Sequence, residues 1–188
     1  MSIDEDEYIT KAARGDQEAF RHLWDAHHAA AMAVALRLCQ QRSLAEEVTQ
    51  GAFLLAWRGL PQFQPGRPFR PWLFRILYHH ALDILEKQRA YLRPLSLEEI
   101  VENEREFADN NCIDPQEQVA RREEVRQMLA QLSADQRRVI ALRYGADLTF
   151  SEIAQVLDWP IGTVKSRLNR ASTRCRELLQ DELKGSER

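Results

Sequence analysis

The chain has 188 residues, 44% of them hydrophobic and 29% charged, with a formal net charge of −3. That is apolar material for the cores of one ordinary domain or two small ones, and it excludes a disordered chain. The slightly negative total speaks against a nucleic-acid binder, but the distribution of charge speaks for one. Residues 67–94 carry six basic side chains against two acidic, residues 95–124 carry three against ten, and residues 160–176 carry five basic and no acidic ones. Two basic islands flanking an acidic stretch suit two separate contacts with a polyanion. Cys39, Cys112 and Cys175 stand in no metal-ligand spacing, and so sparse and odd a set fits a reducing compartment. The start, MSIDEDEY, lacks the basic and apolar parts of a signal peptide, and the longest apolar run, Ala29–Leu36, is too short to span a bilayer. A cytoplasmic protein with no membrane insertion is expected.

Apolar residues recur at helical spacing throughout, and no stretch alternates as a half-buried strand does. The expected fold class is all-α: two small helical domains joined by a flexible acidic linker. A first helix is predicted over about residues 4–13 and a second over 17–39. A third starts at Ser43, where Ser43 and Glu46 match the S-x-x-E capping box, and stops near Gly59. Residues 61–71, with three prolines and a glycine, read as a loop, and Pro71 opens a fourth helix that runs to about Arg89. Residues 93–114 read as the linker, with a short helix possible around 97–107. Helix resumes near Pro115. The domains are therefore expected at 1–92 and 115–188.

The C-terminal part carries two further capping boxes, Ser133 with Gln136 and Thr149 with Glu152. The second opens a short helix, 150–157, which the Asp158-Trp159 turn joins to another beginning at Pro160. Two short helices around such a turn form a helix-turn-helix, expected to bind double-stranded DNA. Ile153, Ala154 and Leu157 face inward from the first helix, and Val164, Leu168 and Ala171 from the second. That leaves Thr163, Ser166, Arg167, Arg170 and Arg174 outward, flanked by Lys165 and Asn169, a set suited to phosphates and guanine edges in the major groove. Arg143 is placed to reach the backbone. The competing reading, a solvated basic face on a bundle, explains the charge but not the paired caps and the tight turn. Asp158 stands where glycine is common, and aspartate tolerates positive φ better than most residues.

In residues 66–93 the basic Arg67, Arg70, Arg75, Lys87 and Arg89 are interleaved with Phe69, Trp72, Phe74, Tyr78 and Tyr91. Such interleaving equips a surface for single-stranded nucleic acid. Aromatics at helical spacing are equally the makings of a core, and composition leaves both readings open.

Two segments carry a specific resemblance. The run LSADQRRVIALRYGADLTFSEIAQVLDWPIGTVKSRLNRASTRCRELL (132–179) resembles region 4 of bacterial sigma factors. The run AEEVTQGAFLLAWRGLPQFQPGRPFRPWLFRILYHHALDILEKQR (45–89) resembles region 2. Both in this order, with a short linker and no region 3, resemble the extracytoplasmic-function class. The resemblance implies a transcription initiation factor with no catalysis and no cofactor of its own. Glu46, Glu47, Gln50 and Phe53 would dock on the clamp of RNA polymerase's largest subunit, and region 4 on the flap of the second-largest. Gln62, Phe63, Arg67, Phe69 and Arg70 would capture a flipped base of the −10 promoter element, and Trp72, Arg75 and His79 would hold the melted strand. Arg143, Thr163, Lys165, Ser166, Arg167, Arg170 and Arg174 would read the −35 element. The linker would thread the polymerase cleft, and an anti-sigma factor is an implied partner. Three residues depart from the family pattern: Gly51 replaces an acidic residue, His79 an asparagine, and Glu86 a basic one.

A helix-turn-helix repressor or activator with an N-terminal sensor domain is the alternative binding reading. A metal hydrolase using His22, His27, His28, His79 and His80 is the enzymatic one, but no pair of these stands at a ligand spacing such as H-E-x-x-H.

Overall fold

A computed structural model of the chain describes residues 5–64, 66–92, 125 and 127–186, and among them there is no β-strand. The expected linker, its short helix and the helix resuming at 115 lie outside these residues, apart from the helical stretch 127–130.

Helix α1 (Glu5–Ala13) opens on Glu5, Asp6 and Glu7, which complement the positive end of the helix dipole. It buries Ile9 and Ala12 against α2 (Gln17–Cys39). Asp16 caps α2, its Oδ1 accepting from the amides of Glu18 (3.0 Å) and Ala19 (3.1 Å). The inward face of α2 alternates bulk with small residues (Leu23, Ala31, Val34, Ala35), which lets neighbouring helices approach closely. His27 is buried on that face and meets Glu5 Oε1 at 2.7 Å, tying α2 to α1.

Helix α3 (Arg42–Gly59) differs from expectation at its start. Gln40 takes the left-handed conformation (φ 62°), and Gln41 is the cap residue, with no side-chain cap bond. Ser43 is therefore already helical and forms no capping box. Glu46 instead accepts from Arg42 Nε at 2.8 Å. Leu44, Ala45, Val48, Thr49, Ala52, Phe53 and Ala56 make one buried stripe. The predicted loop begins with a 3-10 turn (Leu60–Gln62), and α4 (Phe69–Leu92) starts two residues ahead of Pro71, which sits in its first turn. Phe69, Leu73, Phe74, Leu77, Tyr78 and Ala81 close the N-terminal core against α2 and α3.

In the C-terminal part, α5 (Ala134–Ile140) carries the Ser133/Gln136 capping box. It passes into a π-helical turn (Ala141–Gly145) that the periodicity did not foretell. Helix α6 (Phe150–Leu157) has the Thr149/Glu152 box at its start and Asp158 at φ 54°, ψ 41° at its end. Helix α7 (Ile161–Ser186) buries Val164, Leu168 and Ala171, as its spacing requires.

The two helical groups do not stand apart. The π-helical turn packs on α2 and α6 packs on α4, so buried side chains from Ile9 to Ala171 form one continuous cluster. Gly145 makes the approach possible: a Cβ there would lie 3.0 Å from Val34 Cγ2 and 3.2 Å from the Val34 amide nitrogen.

Candidate nucleic-acid interface

The helix-turn-helix is built by local rules. In the Thr149/Glu152 box, Thr149 Oγ1 accepts from the Glu152 amide (3.3 Å) and Glu152 Oε2 accepts from the Thr149 amide (2.7 Å). At the other end, the Trp159 amide reaches back to the Ala154 carbonyl at 3.1 Å, and left-handed Asp158 reverses the chain into α7. With Val164, Leu168 and Ala171 buried, α7 presents Lys165, Ser166, Asn169, Arg170 and Arg174 to solvent. Lys165 lies 5.8 Å from the ring centre of Phe150, and Arg143 lies 5.9 Å from the same ring. Arg143 also donates to the Leu148 carbonyl at 3.0 Å. Thr163 and Arg167 are half-buried. Arg167 pairs with Asp135 and stacks over Trp159 at 5.1 Å, so it is aimed by two neighbours. Arg174 pairs with Glu177 at 3.3 Å.

A second site forms where the 3-10 turn meets α4. Phe63, Phe69 and Trp72 pack as an aromatic cluster with ring centres 4.8 to 5.9 Å apart. Phe69 is buried and also packs on His27 at 5.3 Å, so it supports the loop from below. The expectation that Phe69 contacts a base is corrected on that ground, because its faces are spent on core neighbours. Gln62 and Arg67 are exposed, and Phe63 and Trp72 half-buried. All four line a cleft of about 720 Å³, and so does Arg75. Gln155 and Asp158 of the helix-turn-helix close its far side. Arg75 is exposed but engaged. Its Nη1 donates to Asp158 Oδ1 (2.7 Å) and to the Gln155 carbonyl (2.7 Å), and its Nη2 donates to Asp158 Oδ2 (2.5 Å). The hydrogen bonds from Arg75 hold the Asp158 carboxyl below its ordinary range. Arg70 donates to the Ala146 carbonyl. His79 is exposed on the same face of α4.

On α3, Glu46, Glu47 and Gln50 are exposed and border a shallow pocket with Leu54, Gly51 and His80. Phe53, expected with them, is buried among Phe20, Trp24 and His28, and so serves as core. Leu54 and Leu55, 50% and 41% exposed, are the apolar part of this face that the sequence reading missed. Two apolar residues running on past a buried Phe53 are the signal that marks them. Gly51 has a packing reason: a Cβ there would stand 2.1 Å from His80 Nε2. The histidines are otherwise dispersed, and no cluster fit to hold a metal occurs among the described residues. Nor does any described helix have the length and apolarity to cross a membrane.

The Sigma-70 region 2 family matches residues 23–91 and the Sigma-70 region 4 family matches residues 122–175. The ECF RNA polymerase sigma factor SigW of Bacillus subtilis is 29% identical, over 92% of this chain and 95% of its own. The RNA polymerase sigma factor CnrH of Cupriavidus metallidurans is 31% identical over 90% and 91%. The ECF sigma-E factor of Escherichia coli K12 is 31% identical over 87% of each. Among solved structures, CnrH in complex with the cytosolic domain of CnrY superposes with a TM-score of 0.71 at 28% identity, covering 95% of this chain and 99% of that one. RpoE of Bartonella quintana, in complex with the anti-sigma factor NepR, gives 0.70 at 27% identity, covering 86% and 96%. With two regions in the family order and full-length relatives above 30% identity, the chain belongs to the ECF sigma factors of bacterial RNA polymerase.

Proposed function

We propose that this sigma factor directs promoter-specific initiation through two grips on polymerase and two on DNA, with the residues of each grip assigned as follows. Glu46, Glu47 and Gln50, with the exposed Leu54 beside them, dock on the clamp of the largest subunit. Residues 115–188 form the −35 module and contact the flap of the second-largest subunit. Lys165, Ser166, Arg170 and Arg174 meet the major groove directly, and Arg143, Thr163 and Arg167 contribute from the edges of that surface. Gln62, Phe63, Arg67 and Trp72 receive the flipped base of the −10 element, and Arg70, Arg75 and His79 hold the melted strand. Extruding a base costs a few kcal/mol of stacking, which an aromatic cleft with cations on its rim returns. The chain performs no chemistry itself and works in the cytoplasm beside its polymerase. An anti-sigma factor is its expected regulator, as NepR is for the Bartonella quintana relative.

The observation that carries this reading is the division of α7. Its inward residues are fully committed to the core, and its outward face keeps basic and hydroxyl groups that no packing role requires. Run-off transcription with purified core polymerase on a promoter library tests it. Transcripts that depend on the chain and vanish in Arg170→Ala are expected. DNA binding indifferent to polymerase, with no such transcripts, would establish instead the stand-alone regulator.

A further inference from the structure

Helix α4 contributes a side chain to the face that α3 presents. His80 borders the shallow pocket, about 570 Å³, together with Glu46, Glu47, Gln50 and Leu54 of α3. The ring atoms nearest the Cβ position of Gly51 are Nε2 at 2.1 Å, Cδ2 at 2.8 Å and Cε1 at 3.1 Å. The imidazole therefore meets α3 edge first, at a distance that a side chain at position 51 would forbid. That contact leaves the two flat faces of the ring uncovered. Although His80 is half-buried, no hydrogen bond, ion pair or ring contact engages it among the described residues. The charge around it is acidic on balance. Glu46 is shared with Arg42 at 2.8 Å. Glu47, and Asp83 one turn beyond His80 on α4, are exposed and make no ion pair among the described residues. Leu54, 50% exposed, supplies apolar surface at the same place.

We propose that His80 is a further polymerase-docking residue: a face of its imidazole receives a planar cation, an arginine side chain of the clamp, which Glu47 pairs. This rests on the assignment of the exposed face of α3 to the clamp made above, and it adds a second helix to that face. Arginine fits the pocket better than lysine does. A guanidinium is flat and weakly hydrated, so it stacks on a ring while its fork still reaches a carboxylate, and its stem lies along apolar surface such as Leu54. An ammonium is a strongly hydrated point charge with no face to offer. Gly51 belongs to the same device. A side chain at 51 and the ring of His80 exclude each other, so this pair decides which helix supplies the group that polymerase meets there. A cation stacked on a ring at a partly exposed site corresponds to about a fivefold difference in affinity.

The experiment measures equilibrium binding of the full chain to purified core polymerase, by competition against the fluorescently labelled parent. Glu47→Ala gauges the face itself. His80→Ala removes the ring, His80→Phe keeps a flat ring without its nitrogens, and Gly51→Ala drives the ring away without altering it. Circular dichroism checks that each variant keeps its helices and melts cooperatively. His80→Ala and Gly51→Ala are each expected to bind about fivefold more weakly than the parent. The double variant is expected to be no weaker than either, because both changes remove one contact. His80→Phe is expected to retain most of the affinity. Parent-like binding by His80→Ala, with Glu47→Ala weakened, would overturn the role of the ring and leave the docking face standing. Additive losses in the double variant would also overturn it, since position 51 would then meet polymerase independently of the ring. So would equal losses in His80→Phe and His80→Ala, which would show that no flat face is being used. Full affinity in both Glu47→Ala and His80→Ala would strike the assignment of the face, and the proposal with it.

Discussion

Replacing Gly51 by alanine sets two effects of known size against each other. A glycine inside a helix costs about 1 kcal/mol relative to alanine, because the freer backbone loses more entropy on folding. Against that gain, the new Cβ would meet His80 Nε2 at 2.1 Å and Cδ2 at 2.8 Å, so the imidazole must leave. The atoms struck are the far end of a side chain on a half-exposed face, and His80 has solvent to turn into. Moving it costs a rotamer and some ring contact, on the order of 0.5 kcal/mol. Gly51→Ala is therefore expected to be stabilising by about 0.5 kcal/mol, raising Tm by about 1–2 °C in a protein of this size. In a His80→Ala background the obstacle is gone, and the same change is expected to give the full ~1 kcal/mol. Thermal and urea unfolding of the four variants gives the coupling directly. Equal gains in the two backgrounds would show that the ring does not lie over Gly51. A large loss in the single variant would show that His80 is held by something stronger than the contact described. Because Gly51 adjoins Glu46, Glu47 and Gln50, polymerase competition with the single variant also reads whether the displaced ring disturbs docking.

Thr149→Ala removes the Oγ1 acceptor of the box opening α6, leaves the backbone half donated to Glu152, and is expected to cost about 1 kcal/mol, seen as a lower unfolding midpoint together with weaker duplex binding. Arg170→Ala, if Arg170 meets a phosphate, should reduce the slope of log K against log salt by about one unit, whereas a base-reading role would change promoter preference and leave the slope. Burial pushes the Cys39 thiol up to about 12, so iodoacetamide at pH 8 should leave Cys39 unmodified in the native chain and modify it after denaturation, read by peptide mass spectrometry. The Asp158 carboxyl is held low by Arg75, so its contribution is complete above the ordinary aspartate value of about 3.9 and is lost as pH falls through the depressed one. The urea unfolding midpoint should thus owe no change to this pair from pH 7 down to about 5, and a difference between the parent and Asp158→Asn that already fades between pH 7 and 5 would count against the Arg75 contact as its cause.

Where the governing interactions are local, the sequence by itself determined the structure. The bounds of α2, the boxes at Ser133 and Thr149, the turn at Asp158 and the inward triplet of α7 all follow from side chains within four residues of one another. The outward basic set of α7, proposed above to meet duplex DNA, was legible for the same reason, because removing the core positions leaves it exposed. Ser43 shows where local reading fails. Its box needed a non-helical Ser43, but the left-handed Gln40 turns α2 into α3 so tightly that the helix has begun by Arg42. The aromatic residues show a second kind of failure. Periodicity places Phe53 and Phe69 on helices, but only the packing of Trp24 on one and His27 on the other decides that they are core rather than contact. The π-helical turn, with Gly145 laid on α2, and the clamp from Arg75 to Asp158 belong wholly to the tertiary structure. Arg75 and Asp158 stand 83 positions apart, and no pattern of spacing within a helix reports on such a pair. They meet because burying α2 and α4 against the C-terminal helices removes apolar surface from water, and that gain is summed over the whole chain rather than along any one segment of it.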